Sequence, residues 1–279
     1  MAADDRPSLA TTVGENGDGQ PADLLMIIPV RNEGERLQRF LSDLSECPPL
    51  PVTEFVVVDD ASGREAAELQ VQGVAWFAER MRDAGRPHRI RLVVAPAHGG
   101  KGAAIRLGWG DGTAARWLGF VDGDGAVPAR EVWRLATTLV PDPPFDALLG
   151  SRVRAPGRVV RRHLLRGLQG AAFARAANAL LRIGVADPQC GLKLFRADRL
   201  RPLLPGLRER GWTLDPELLL LLRKAGGSLR EAPIDWTEHG KSKVVFGIDA
   251  VRMLWQVLRL RRRLGTATVL GAPPPPAVG

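Results

Sequence analysis

The chain has 279 residues, 45% of them hydrophobic and 25% charged, enough apolar material for one large domain or two small ones. Two cysteines, Cys47 and Cys190, and four scattered histidines exclude a disulfide scaffold and a zinc ribbon or finger, and they fit a reducing cytosol. A formal charge of +8 points to an anionic partner: nucleic acid, a phosphorylated ligand or lipid headgroups. Only five of the 39 basic residues are lysines (Lys101, Lys193, Lys224, Lys241 and Lys243), and four of these fall in glycine-containing segments. A compact, flexible ammonium suits such places better than a planar guanidinium fork, with chance placement as the alternative.

Residues 1–22 are polar, punctuated by glycine and proline and without period, which predicts a disordered leader. The start, Met-Ala-Ala-Asp-Asp, has neither a basic nor an apolar signal region, and no stretch approaches the ~20 apolar residues of a bilayer span. A cytoplasmic protein that is not secreted is expected. Leu24–Val30 is a continuous apolar run, as in a strand covered on both faces. In 33–46, Leu37, Phe40, Leu41 and Leu44 recur at helical spacing. Strands are then expected at 54–59, 90–95, 117–121 and 147–150, with helices at 64–82, 102–116 and 129–140 between them. Such alternation means a mainly parallel sheet with right-handed crossovers, an α/β fold with a Rossmann-like first half. From about 155 the pattern turns mostly helical, over 160–183, 198–207, 213–225 and 246–264, with short strands near 191–195 and 229–236. The folded part is read as one domain, 23–264, comprising a nucleotide-binding half (23–152), an acceptor half (153–245) and a C-terminal helix (246–264). Residues 265–279, ending in a proline run, are expected to be a disordered tail.

In an open parallel sheet, ligands bind outside the carboxyl ends of the strands. Here those ends read Pro29-Val30-Arg31-Asn32-Glu33, Asp59-Asp60-Ala61-Ser62, His98-Gly99-Gly100-Lys101-Gly102, Asp122-Gly123-Asp124-Gly125 and Gly150-Ser151-Arg152. Taken alone, Asp-Gly-Asp-Gly is most often a plain turn. Gly-Gly-Lys-Gly is no Walker A loop, since no Ser or Thr follows Lys101, and the dinucleotide fingerprint is missing after the first strand. Together, acidic pairs at two strand ends and basic glycine loops at two others are hard to explain as turns. Crowded carboxylates raise one another's pKa unless a cation neutralises them. A hard divalent ion, Mg²⁺ or Mn²⁺, shared with substrate phosphates, is the economical answer.

The segments IIPVRNE, VVVDDAS, GGKGAAIRLG, FVDGDGA, ALLGSR, DPQCGLKLF, W-x-x-D-x-E-L-L and GKSK follow one another in that order. Over about residues 24–245 they resemble the inverting glycosyltransferases of family 2, which have the GT-A fold. Within the family the likeness is to polyprenyl-phosphate sugar synthases, the dolichyl-phosphate β-glucosyltransferases and dolichol-phosphate mannose synthases. DPQCGLKLF and FVDGDGA are similar to the former, Gly-x-Ser-Lys to the latter. The resemblance implies that Pro29, Val30, Asn32, Glu33, Asp59 and Gly123 line the nucleotide-sugar pocket, with Lys101 and Arg106 near the diphosphate. Asp122 and Asp124 would form the DxD element, Asp124 being the better metal ligand. The mannose enzymes place a further polar ligand two residues on, where this chain has Ala126. Arg152 with Arg161 or Arg162 would hold the acceptor phosphate. Gln189, Gly191 and Lys193 would lie at the boundary of sugar and acceptor, and Lys241, Ser242 and Lys243 would cap the phosphates.

The activity so implied is metal-assisted direct displacement, moving a hexose from UDP-glucose or GDP-mannose to polyprenyl or dolichyl phosphate. A phosphate monoester, with a second pKa of ~6, is already mostly dianionic at neutral pH and needs arginine positioning more than a base. A hydroxyl acceptor, the alternative for a soluble family 2 enzyme, would need a carboxylate base, for which Asp215 and Glu217 are the candidates. Cys190 reads as a buried filler rather than a nucleophile, and Trp212, Trp236 and Trp255 as packing before sugar platforms. Asp187 reads as a turn or helix-terminus residue before Pro188. In 246–264, a helix would gather Phe246, Val251, Leu254, Trp255 and Leu258 on one side, with five arginines against one aspartate. That describes a basic amphipathic helix lying peripherally on the inner face of the cell membrane, or a core-docking helix with a solvated basic end. A nucleic-acid partner is not expected, since there is no Tyr and no aromatic–basic stacking motif.

Overall fold

The computed structural model describes residues 22–46, 48, 51–110, 114–161, 174–238 and 248–266, with the backbone alone over 248–254. The expected leader and tail, Arg162 and the Lys241–Lys243 segment lie outside the described residues. In chain order the elements are β1 (Leu24–Val30), α1 (Gly34–Ser45), β2 (Thr53–Asp59), α2 (Arg64–Asp83), β3 (Arg89–Val94), α3 (Lys101–Trp109) and β4 (Trp117–Val121). There follow α4 (Ala129–Thr137), β5 (Ala147–Ser151), β6 (Val160–Arg161) and a helix over 174–181, here α5. The rest is β7 (Leu192–Arg196), α6 (Ala197–Leu200), a 3-10 turn (Arg201–Gly206), α7 (Leu214–Lys224), β8 (Leu229–Pro233), β9 (Trp236–Thr237) and α8 (Ile248–Leu264).

Seven strands form one sheet in the order β3-β2-β1-β4-β7-β5-β8, and β6 pairs with β9 in a small second sheet. In the large sheet only β7 runs against the rest, paired antiparallel to β4 and to β5. The mainly parallel α/β expectation therefore holds, with a consequence the strand spacing does not reveal. Because β7 is reversed, its amino end lies at the same rim as the carboxyl ends of the other strands. The segment Asp187–Gly191 thus reaches the rim where Asp122 ends β4, and Asp122 N–H donates to Gly191 O at 3.1 Å. The order 2-1-4 also places the crevice of an open sheet between the carboxyl ends of β1 and β4.

Both sheet faces are covered, which is why β1 reads as unbroken apolar sequence rather than as an alternation. Leu24, Met26 and Ile28 face α1, α2 and α4; Leu25 and Ile27 face α3, α5 and α7. The C-terminal helix joins the second layer through Val257 and Leu260, both fully buried.

Several expected boundaries move. Helix α3 stops at Trp109 rather than running to 116: Gly108 and Gly110 weaken a helix, and Trp109 is anchored in the core with its Nε1–H on Gly119 O at 3.2 Å. Helix α4 ends at Thr137, where the hydroxyls of Thr137 and Thr138 bond back to the carbonyls of Arg134 and Leu135. The stretch expected to be helical from 160 begins instead as β6. The strand expected over 229–236 is split into β8 and β9 around Ile234.

Candidate active site

The rim is assembled from the carboxyl ends of β1 to β5 and the amino end of β7. At β1, Asn32 adopts a left-handed conformation (φ 57°), tolerable for an asparagine. Its side-chain oxygen accepts Gly63 N–H at 2.8 Å, and its own N–H donates to Ser62 Oγ at 2.9 Å. At β2, Asp59 is buried and its Oδ1 receives Ser62 N–H at 2.9 Å and Ser62 Oγ–H at 2.5 Å. These bonds knit the first two strand ends into one wall, with Pro29 beside Val58 and Val30 beside Asp59 in register. Glu33 is paired with Arg36 at 2.6 Å. Gly123 fits because a Cβ there would come within 2.5 Å of Val30 Cγ1.

Four amides of the glycine loop after β3 are spent inside the protein rather than offered to a phosphate. Asp60 accepts Gly99 N–H at 2.6 Å, Gly100 N–H at 2.9 Å and His98 Nδ1 at 2.7 Å, while the N–H groups of Gly102 and Ala103 both donate to Arg210 O, at 2.7 and 3.1 Å. Asp60 is thus a loop anchor rather than a free carboxylate, and what the loop presents is Lys101. Its ammonium lies 2.7 Å from Asp122 Oδ1, 3.8 Å from Asp215 Oδ2 and over the ring of Phe120. Burial by itself would favour the neutral amine, but the charges of Asp122 and Asp215 outweigh it and hold the pKa above the ordinary lysine value. Arg106 stands further along the same helix. Five residues along α3 carry it about 7.5 Å down the helix and round its axis.

Asp122 and Asp124 share the turn after β4. Asp124 Oδ1 accepts Ala126 N–H at 2.9 Å. Burial, and then the charge of Asp122, push its pKa up, so the pair is short of positive charge despite Lys101. Gly191 makes room for Asp122: a Cβ there would lie 2.1 Å from Asp122 Oδ2. Two adjacent oxygen donors, one of them electrostatically undercompensated, suit a hard divalent cation that takes its remaining ligands from phosphate and water. No group of three or more His, Cys, Asp or Glu side chains that could hold a metal ion occurs among the described residues.

Beneath Lys101 lies a second ion pair. Lys193 is fully buried on β7, with its ammonium 2.5 Å from Asp215 Oδ1 and 2.6 Å from Cys190 O. Lys193 is therefore not free for an acceptor phosphate; it braces Asp215 from below. Cys190 is buried, and desolvation pushes its thiol up to about 11, so it is unreactive. Glu217, in the same first turn of α7 as Asp215, is fully buried and receives Arg208 N–H, Glu209 N–H and the Arg263 guanidinium. It has no access to an acceptor, which removes it as a base.

Across the rim, Arg152 follows β5. It makes a two-pronged bond to Asp187, Nε to Oδ2 at 2.7 Å and Nη2 to Oδ1 at 2.8 Å, and its N–H donates to Oδ2 at 2.9 Å. Burial opposes the charge of both partners, yet their mutual bonds hold Asp187 below and Arg152 above the ordinary values. The guanidinium lies 5.5 Å from the Trp236 ring centroid, and Arg161 sits exposed on the strand paired to Trp236–Thr237. Asp187 is therefore the orienting partner of Arg152, not a mere turn residue. Gln189, close by, keeps its Nε2 buried with no hydrogen-bond partner.

Reading along the chain misses these pairings: Asp187 with Arg152 is separated by 35 positions and Lys193 with Asp215 by 22. Neither separation carries a local signal. Both follow from β7 entering the sheet backwards.

With the geometry in place, comparison with known proteins defines the class. The fold is that of the GT-A glycosyltransferases. Over 88% of the chain it matches glucosyl-3-phosphoglycerate synthase from Mycobacterium tuberculosis, solved with Mn²⁺, UDP and glucosyl-3-phosphoglycerate (81% of that chain, TM-score 0.60, 18% identity). It also matches a Pyrobaculum calidifontis mannosyltransferase solved with GDP-mannose and Mn²⁺ (91% of this chain, 69% of that one, TM-score 0.59, 21% identity). The model of the glycosyl transferase family 2 matches residues 26–203, and the chain belongs to that family. Among curated relatives, the glycosyltransferase AglD of Haloferax volcanii is 27% identical over 258 residues, covering 91% of this chain and 38% of that protein. The dolichyl-phosphate beta-glucosyltransferase of Dictyostelium discoideum is 27% identical over 251 residues, covering 86% of this chain and 74% of that one. The chain thus spans well under half of the archaeal relative.

Proposed function

We propose that this glycosyltransferase moves a hexose, glucose or mannose, from UDP-glucose or GDP-mannose to a polyprenyl or dolichyl phosphate, by direct displacement at the anomeric carbon with inversion. The carrying observation is the joint presence at one rim of Lys101 on Asp122, with Asp124 beside it, and of the Asp187-oriented Arg152 facing them. Relatives named as dolichyl-phosphate beta-glucosyltransferases support the lipid acceptor.

Asp122 and Asp124 would hold Mg²⁺ or Mn²⁺. When bound, that ion supplies Lewis-acid stabilisation of charge on the departing diphosphate. Lys101 adds a second positive charge there, kept protonated by the two aspartates around it. Asn32, Asp59 and the main chain of 29–33 form the wall against which the nucleoside rests. Arg152, with one guanidinium edge spent on Asp187, keeps its three remaining N–H donors for the acceptor phosphate and lies against the ring of Trp236. Gln189, whose Nε2 is buried and unbonded, would meet a sugar hydroxyl once its amide turns toward the rim. No base is required: a phosphate dianion is already a competent nucleophile at neutral pH.

The second reading, a hydroxyl acceptor, would rest on Asp215. Its Oδ1 is bound by the buried Lys193 and its Oδ2 faces Lys101, so the group serves better as a counter-charge than as a proton acceptor. The C-terminal helix supports a membrane-surface site: among the described residues no helix is long and apolar enough to cross a bilayer, yet Trp255 and Leu258 stand exposed beside Arg261 and Arg262. The deciding experiment incubates the protein and Mn²⁺ or Mg²⁺ with labelled UDP-glucose or GDP-mannose, against dolichyl or undecaprenyl phosphate in mixed micelles and against soluble sugar acceptors. Label is expected in the organic phase with one donor. Transfer to a soluble hydroxyl acceptor alone would overturn the lipid reading.

A further inference from the structure

Two buried carboxylates, Glu209 and Glu217, play no part in the chemistry above, yet they hold the C-terminal helix against the site. Arg259 Nη2 donates to both oxygens of Glu209, at 2.8 and 2.9 Å; Arg263 reaches Glu209 at 3.4 Å and also bonds Glu217. Glu209 further accepts the Thr213 hydroxyl at 2.7 Å, and Glu217 accepts the N–H groups of Arg208 and Glu209. The segment 207–213 is therefore gripped from α8 on one side and from the start of α7 on the other.

The next residue touches the catalytic rim. Arg210 O accepts the N–H groups of both Gly102 and Ala103, which satisfies two of the donors left open at the beginning of α3. The approach is close enough that a Cβ on Gly100 or Gly102 would come within 2.8 or 2.9 Å of that carbonyl. Lys101, the residue between those two glycines, carries the ammonium that meets Asp122. Hydrogen bonds from the arginines of α8 to the Glu209 carboxylate, the main chain from Glu209 to Arg210, and the bonds to the Arg210 carbonyl thus lead in sequence to the first turn of α3.

We infer that Arg259, Arg263, Glu209 and Glu217 form a positioning clamp by which the docked C-terminal helix seats Lys101 at the nucleoside-diphosphate end of the site. The clamp acts through the main chain of 207–213 and touches no substrate. It gives the helix a role inside the protein as well as one at a surface: Arg259 and Arg263 are spent on these carboxylates, while Arg261 and Arg262 stand exposed for an anionic partner. The inference rests on Lys101 facing the diphosphate, as in the proposed function.

The scarcity of lysine makes the test direct. With five lysines in the chain, 13C-labelled lysine yields few side-chain resonances, and that of Lys101 is assigned from Lys101→Arg. Spectra of the ligand-free full-length protein are compared for wild type, Arg259→Gln/Arg263→Gln, Arg259→Lys/Arg263→Lys and Leu41→Ala. The last lies in the helix layer on the opposite face of the sheet and controls for lost stability. The Gln pair is expected to shift the Lys101 resonance toward that of a solvent-exposed lysine and to weaken Mn²⁺-dependent binding of UDP and GDP at least tenfold. The Lys pair should restore part of both, and Leu41→Ala should lower the melting temperature while moving neither. An unmoved Lys101 resonance in the Gln pair, or an equal shift in Leu41→Ala, would overturn the clamp. Failure of wild type to bind either nucleotide would overturn instead the functional reading, and the Lys101 resonance would still decide for or against the clamp.

Discussion

Gly191 illustrates how a single missing Cβ shapes the rim. Asp122 Oδ2 occupies the space where that carbon would stand, at 2.1 Å, so Gly191→Ala must swing the carboxylate off Lys101. Because a misplacement of about 1 Å can cost roughly 100-fold in rate, we expect glycosyl transfer to fall by about that factor while the thermal melt moves little. Steady-state kinetics beside calorimetry would check the dissociation of the two effects; a normal rate would refute the steric account. Lys193 makes the opposite case, a residue whose loss should be felt in stability first. Lys193→Met leaves Asp215 with only Lys101, 3.8 Å away, so the cost should be near the lower end of the ~3–5 kcal/mol expected when one partner of a buried pair is removed. Chemical denaturation should show it, and Lys193→Met/Asp215→Leu should recover part of the loss, since the two buried charges leave together while Cys190 O loses its donor and Lys101 keeps only Asp122. No recovery would mean that the pair stabilises beyond its own desolvation.

Between elements, the strand edge formed by β2 and β3 is tied to helix α4 by His88. The ring is buried, with Nδ1 accepting Thr53 N–H at 3.2 Å and Nε2 donating to Pro48 O at 2.7 Å, against Trp133. Burial lowers its pKa below the 6.5 of a free histidine, because the charged ring loses water and the Thr53 bond needs an unprotonated Nδ1. The unfolded chain therefore binds a proton first as pH falls. The contribution of His88 to stability is complete above about 6.5, declines as pH drops from there toward the lower folded value, and is constant below it. Urea midpoints between pH 7.5 and 5 should fall more steeply for wild type than for His88→Asn, whose amide oxygen can still accept from Thr53. Parallel slopes would show that other groups carry the acid sensitivity. At this level the sequence is highly legible: apolar runs place β1 and β4 to the residue, and helical spacing places α1, α2 and α7 to within one or two positions. The failures cluster where glycine, threonine or a pairing partner ends an element early, as at Trp109 and Thr137, because a pattern of hydrophobicity reports burial and not the hydrogen bonds that close a helix.

For the molecule as a whole, helix α8 reconciles the core-docking and the surface readings of its sequence. Val257 and Leu260 dock in the core, worth about 1.5–3 kcal/mol each, while Trp255 and Leu258 project outward, 58% and 38% exposed. Cutting the chain before α8 would therefore uncover core as well as remove a surface. Trp255→Ser/Leu258→Ser is the sharper probe: we expect it to lose flotation with anionic phosphatidylglycerol vesicles, in a way that high salt reproduces in wild type, while the melting temperature stays close to wild type. Undiminished flotation would exclude this face from membrane contact.

The type of fold, the strand ends that carry the clustered polar groups and the family were all readable in the linear chain, because parallel strands covered on both faces and polar turns at their carboxyl ends leave contiguous marks. Long-range geometry alone settled which of those polar groups are spent on one another: Asp60 on the glycine loop, Asp187 on Arg152, Lys193 on Asp215, Glu217 on Arg263. The reason is electrostatic. A charge drawn inside must find a partner wherever the fold brings one within about 3 Å, and no rule of spacing along the chain says where that will be.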